Sequence, residues 1–87
     1  MSQFDLQFTP EFTRQIKKLD KRYQLAALRQ IKKLISNPFQ GKALRGKLKG
    51  KFSLRIGDYR VIYLISPKGL IFILTIGHRR DIYKRQS

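Results

Sequence analysis

The chain has 87 residues, 20 of them Lys or Arg and five Asp or Glu, for a formal net charge of +15. That length leaves room for one domain with a small core, and a charge this one-sided calls for a polyanion or an acidic partner. With no cysteine and a single histidine, a disulfide framework, a thiolate metal site and a histidine cluster are all excluded. Phe4, Leu6 and Phe8 alternate with Asp5 and Gln7, which predicts a strand buried on one face. Thr9-Pro10-Glu11 then predicts a helix start, with a hydroxyl to accept a free N–H, a proline at the first helical position and a carboxylate at the positive end of the dipole. Phe12, Ile16 and Leu19 share one stripe of this helix, and Arg14, Lys17 and Lys18 lie off it.

Asp20 is placed to cap a second helix that runs to about Ile35, with Ala27, Leu28, Ile31, Leu34 and Ile35 as its apolar side. Ser36-Asn37-Pro38 ends it. From Lys42 to Gly50 no apolar period is visible, so the segment reads as a basic loop carrying Arg45, Lys47 and Lys49. Three strands follow, about Lys51 to Ile56, Tyr59 to Ser66 and Leu70 to Ile76, joined by Gly57-Asp58 and Pro67-Lys68-Gly69. The order β-α-α-β-β-β predicts a single small α+β domain over residues 1–87, a mostly antiparallel sheet with a helical hairpin packed on one face. The first eight residues lack the apolar run of a leader, and no segment approaches the roughly 20 apolar residues of a membrane span, so a cytoplasmic protein that makes no use of a membrane is expected.

If Gly57 and Asp58 are the whole loop of a type II′ hairpin, Ile56 faces Tyr59, Arg55 faces Arg60, Leu54 faces Val61 and Phe52 faces Tyr63. One face then carries the apolar residues and belongs under the helices, while the other sets Arg55 opposite Arg60. Like charges directly across a ladder cost about 0.2–1 kcal/mol, and an anion between them reverses the sign. The alternative is a solvated face on which the two arginines splay apart. The last strand leads into Gly77-His78-Arg79-Arg80-Asp81-Ile82-Tyr83-Lys84-Arg85, a second concentration of cations. His78 can transfer a proton, stack on a base or simply be exposed, and Tyr83 can stack, transfer a proton or pack on the sheet.

The run Leu44-Arg45-Gly46-Lys47-Leu48-Lys49-Gly50-Lys51-Phe52-Ser53-Leu54-Arg55-Ile56-Gly57-Asp58-Tyr59-Arg60-Val61-Ile62-Tyr63, with the closing Gly77 to Tyr83, resembles the RelE branch of the RelE/ParE toxin superfamily. The resemblance covers essentially the whole chain. It implies a toxin of a toxin–antitoxin pair, an endoribonuclease (mRNA interferase) that cuts mRNA on the ribosome without a metal or other cofactor and is held inactive by a cognate acidic antitoxin. Transferred by position, it implies a catalytic set of Lys51, Arg55, Arg60, Arg79 and Tyr83, with His78 at a position that is basic or histidine in relatives. Ser53 departs from the pattern, since relatives often carry Lys or Arg there, and Lys47, Lys49 or Lys51 are the cations nearest to replace it. Arginines would hold the scissile phosphate, and Tyr83 and His78 are the candidates for proton transfer, with acid and base unassigned. Arg45, Lys47, Lys49, Arg80 and Lys84 would contact the RNA, and Lys17, Lys18, Lys21, Lys32, Lys33 and Lys42 would dock on ribosomal RNA. Two alternatives stay open: a ParE-like inhibitor of DNA gyrase, and a basic RNA- or ribosome-binding module without catalysis.

Overall fold

The computed structural model of the chain describes residues 4–83. Strand β1 (Asp5–Phe8) leads directly into helix α1 (Pro10–Lys17). The Thr9 hydroxyl joins them: it accepts the Phe12 N–H at 3.1 Å and donates to the Leu74 carbonyl at 2.6 Å, so one cap also ties the helix to the sheet. Helix α2 (Lys21–Lys33) follows after a three-residue connection.

Asp20 does occupy the position before α2, but its side chain makes no capping bond. Gln24 secures this junction, its amide donating to the Leu19 carbonyl at 2.8 Å and the Lys17 carbonyl at 3.4 Å, which satisfies acceptors left over at the end of α1. The helix also stops two residues short of Ile35, because Leu34 and Ile35 donate to Ile31 and Lys32 in a tighter last turn.

A five-stranded sheet has the order β1-β5-β4-β3-β2, with β1 parallel to β5 and every other pair antiparallel. The fifth strand is one the sequence did not show. Within the expected basic loop, Lys42–Ala43 form β2 and pair with Ser53 and Phe52 of β3 (Lys51–Ile56), before a 3₁₀ turn at Gly46–Leu48. Two residues are too few to carry a period, so only the pairing defines this strand.

The β3–β4 hairpin has the computed register: Ile56 with Tyr59, Arg55 with Arg60, Leu54 with Val61 and Phe52 with Tyr63, where β4 is Tyr59–Ile65. Gly57 has φ 58° and Asp58 is not in the left-handed region, as a type II′ turn requires. Strand β5 (Leu70–His78) carries a bulge: Ile62 pairs with Thr75 but Tyr63 with Ile73, so Leu74 is supernumerary. Gln15 of α1 reaches this irregularity, its Oε1 accepting the Ile76 N–H and the Thr75 hydroxyl, each at 2.8 Å.

The core lies between the helices and one face of the sheet. Phe12, Ile16, Ala27, Ile31 and Leu34 meet Leu54, Ile56, Val61, Tyr63, Ile71, Ile73 and Ile76, all buried, and Phe52 and Tyr59 pack at its margin. Leu28 is a correction, being 44% exposed, because the line Ala27-Ile31-Leu34 faces the sheet and Leu28 sits about 100° around the helix from Ala27. On the opposite face Ile62 and Thr75 are also fully buried, and the turn after β5 buries Ile82. Among the described residues no helix is long and apolar enough to cross a membrane.

Candidate active site

On the face away from the helices, Arg55 of β3 stands opposite Arg60 of β4, and Arg60 stands opposite Gly77 of β5. Gly77 contributes no side chain to this row and is itself buried. Just past it, the Arg79 N–H donates to the Asp58 carbonyl at 2.9 Å, and the Asp81 N–H donates to the His78 carbonyl at 2.9 Å. These bonds fold the chain after β5 back toward the β3–β4 turn. The result is an open pocket of roughly 550 Å³ lined by Gln40, Gly41, Lys42, Ser53, Leu54, Arg55, Arg60, Arg79 and Tyr83. Among the described residues, four cations and no carboxylate line it.

Among the described residues, three of these side chains are held by hydrogen bonds. Nη1 of Arg60 donates to the Gly57 and Tyr59 carbonyls, both at 2.9 Å, which fixes the guanidinium against its own hairpin and leaves Nε and Nη2 to face an incoming anion. The hydroxyls of Tyr83 and Ser53 lie 2.9 Å apart. Ser53 is nearly buried and Tyr83 half-buried.

The wall opposite the arginines is the loop 38–42, and a core residue sets its position. Tyr63 is fully buried, its ring stacked on Phe52 at 5.4 Å. Its hydroxyl donates to the Pro38 carbonyl at 2.8 Å and accepts the Gly41 N–H at 3.0 Å. Burial pushes the Tyr63 phenol above its ordinary 10.0, with the Gly41 N–H pulling partly the other way. Gly41 passes so close that a Cβ there would lie 2.5 Å from the Tyr63 hydroxyl and 2.9 Å from the Ser53 carbonyl.

Of the residues expected in the site, Arg55, Arg60, Arg79 and Tyr83 come together in this pocket. Lys51 shares the face of Ser53 and Arg55 but lies four residues from Arg55 along β3, about 13 Å at 3.3 Å per residue, and is not among the lining residues. His78 is placed elsewhere. It pairs with Tyr59, its ring edge-on to Tyr59 at 5.9 Å, on the helix side of the sheet, and its Nδ1 accepts the Arg80 N–H at 3.2 Å. The bulge at Leu74 is the cause: Ile71 and Ile73 point into the core, and one extra residue sends Ile76 and His78 to that side and Gly77 to the pocket side.

Arg45 lines a second, adjoining cavity with Ala43 and Leu44, and Lys42 belongs to both. Lys47, Lys49 and Arg80 are exposed outside the pocket. Lys84 lies outside the described residues. Gln40 and Gly41 were not expected in the wall; the only trace in the sequence is a glycine three residues after the proline that follows α2. Ser53, noticed only as a departure, proves to be a pocket residue.

A small α+β domain with two helices packed on a mostly antiparallel five-stranded sheet is the architecture of the RelE/ParE toxin superfamily. The chain belongs to it: the model of the family described as ParE toxin of type II toxin–antitoxin system, parDE, matches residues 6–83. It is 36% identical over 85 residues to toxin RelG of Mycobacterium tuberculosis, an alignment covering 94% of this chain and 98% of that one. The toxin–antitoxin complex RelBE2 of the same organism is similar in structure, with TM-score 0.80 and 33% identity over 90% of this chain and all of the matched chain. The archaeal RelE–RelB complex of Pyrococcus horikoshii matches at TM-score 0.74 and 26% identity, covering 87% of this chain and 94% of that one. The isolated RelE toxin of E. coli shares the fold at TM-score 0.76 and 17% identity over 94% and 93% of the two chains.

Proposed function

We propose that the chain is a ribosome-dependent endoribonuclease that cleaves mRNA by attack of the RNA's own 2′-hydroxyl and thereby halts translation. The observation that carries this reading is the meeting of Arg55, Arg60, Arg79 and Tyr83 in one pocket that no carboxylate lines among the described residues. In the reaction the 2′-oxygen bonds to the adjacent phosphorus and the P–O5′ bond breaks, giving a 2′,3′-cyclic phosphate and a 5′-hydroxyl. The proton lost at the 2′-oxygen balances the one gained at the 5′-oxygen, and no metal or other cofactor takes part. Negative charge grows on the phosphorane oxygens, and donors already fixed in place stabilise it without reorganising. Arg60, its guanidinium held by its own hairpin, fills that role together with Arg79, whose main chain is tied to the Asp58 carbonyl, and Arg55 and Lys42 hold the strand. Tyr83 is the proton-transfer group the pocket offers. His78, on the other face, takes no part as drawn.

The exposed Lys17, Lys18, Lys21, Lys32 and Lys33 lie on or beside the helices, away from the pocket, and suit backbone contacts to ribosomal RNA while the pocket engages mRNA. The solved relative named as a toxin–antitoxin complex supports a cognate antitoxin for this chain as well. The +15 charge makes that partner an acidic chain in our reading.

The decisive experiment maps mRNA 3′ ends in a translating extract given the purified protein, alongside Arg60→Ala and Arg79→Ala. Each substitution is expected to lower cleavage about 100-fold or more while the circular dichroism spectrum stays native. Undiminished cleavage by both variants would refute the mechanism. The match to a family named for ParE supports a second reading, inhibition of DNA gyrase, which a supercoiling assay on the native protein tests directly.

A further inference from the structure

Ser53 sits in β3 with a strand paired on each side, Lys42 of β2 across one edge and Ile62 of β4 across the other. Its backbone is therefore among the most constrained in the pocket. The residue is only 6% exposed, yet it lines the open pocket walled by cations. A long ammonium or guanidinium at that depth would have to be desolvated beside Arg55 and Arg60. A hydroxyl fits without that cost, and this one has a partner, the Tyr83 phenol oxygen at 2.9 Å.

Tyr83 is anchored from the other direction too. The turn after β5 is pinned by the Arg79 and Asp81 backbone bonds, and Ile82, adjacent to Tyr83, is fully buried. The main chain of Tyr83 thus arrives at the pocket along a fixed path, but a phenol still has rotation about its side-chain bonds. Ser53 is the group that removes this freedom at the oxygen. Each hydroxyl has one proton and two lone pairs, so whichever of the two donates, the phenol oxygen keeps a hydrogen-bonding capacity directed at the pocket.

Building on the nuclease reading of this pocket, we propose that Ser53 is a positioning residue that holds the Tyr83 hydroxyl at the scissile phosphate. Ser53 acts through Tyr83 and makes no contact of its own with the reacting atoms. A side chain that merely lines the pocket would be replaceable by alanine. One that orients the phenol will affect the chemical step and leave RNA binding alone, because the arginines that hold the phosphate stay in place.

The test is single-turnover cleavage in a translating extract by the native protein, Ser53→Ala, Ser53→Thr, Tyr83→Phe and the Ser53→Ala/Tyr83→Phe double variant. Ser53→Ala is expected to slow the cleavage step about 10-fold with an unchanged half-saturating protein concentration, and Ser53→Thr, which keeps the hydroxyl, to stay within about threefold of native. Once Tyr83 has lost its hydroxyl, adding Ser53→Ala is expected to slow the reaction no further. Equal losses from Ser53→Ala in the native and Tyr83→Phe backgrounds, or no loss in either, would overturn the proposal. An inactive native protein would sink the nuclease reading, and the pairing is then judged by the carbon resonance of the Tyr83 phenol in protein carrying labelled tyrosine. Ser53→Ala shifts that resonance if the hydroxyls are paired in solution and leaves it in place if they are not.

Discussion

Replacing Gly41 with alanine tests how the pocket wall is built. The added Cβ would stand 2.5 Å from the Tyr63 hydroxyl, 2.9 Å from the Ser53 carbonyl and 3.0 Å from the Tyr63 ring. None of these groups can easily retreat: the Ser53 carbonyl belongs to a strand paired on both sides, and the Tyr63 ring is fully buried and stacked on Phe52. Overpacking of this kind costs about 1–3 kcal/mol, and displacing the loop weakens two hydrogen bonds worth about 1 kcal/mol each. The expected loss is therefore about 2–4 kcal/mol, a large part of the roughly 4–13 kcal/mol available to a domain of this size. Tyr63→Phe removes the same two hydrogen bonds without adding an atom and is expected to cost about 2 kcal/mol. In the Tyr63→Phe background the shortest contact is gone, so Gly41→Ala should cost at least about 1 kcal/mol less there than in the native chain. Urea unfolding followed by circular dichroism gives all four corners of the cycle. A Gly41→Ala protein within about 0.5 kcal/mol of native, or a cycle that closes additively, would refute this account of the loop.

Burial raises the Tyr63 phenol above 10.0, so the unfolded chain releases this proton at lower pH than the folded one. The stabilising contribution is complete below pH 10 and is lost as pH rises past it, and Tyr63→Phe should flatten the alkaline limb of a stability–pH curve measured beside the native protein. Thr9→Ala is expected to cost about 1–2 kcal/mol, since it removes both the cap of α1 and the bond to the Leu74 carbonyl. Asp20→Ala, which removes no capping bond, should stay within about 0.5 kcal/mol of native, and thermal melts of the two variants check the contrast. Arg55→Ala removes a like-charge pair across the ladder and is expected to raise stability by about 0.2–1 kcal/mol while lowering mRNA cleavage. A variant less stable than native would mean the pair is not repulsive.

The parts of this protein that depend on neighbours in sequence were readable from the sequence. The cap at Thr9, the stripe Phe12-Ile16, the line Ala27-Ile31-Leu34 and the two-residue turn at Gly57-Asp58 each rest on local periodicity or backbone preference. Because that turn fixes the β3–β4 register, the opposition of Arg55 and Arg60 was legible as well. The resemblance of the flanking motifs brought Arg79 and Tyr83 into the expected site.

What only the tertiary structure decided involves contacts across the chain. The bulge at Leu74 is an extra residue relative to a partner strand, satisfied by Gln15 about 60 positions away, and no single-strand pattern records it. Yet it changes which side of the sheet His78 and Gly77 occupy, and so removes the histidine from the pocket. Strand β2 exists only through its pairing with Ser53 and Phe52. The wall at Gly41 depends on a phenol 22 residues away, and the Ser53–Tyr83 pair joins residues 30 apart. Sequence carries the preferences of each segment, and the face each side chain meets is set by how segments register against one another, a property of the assembled sheet.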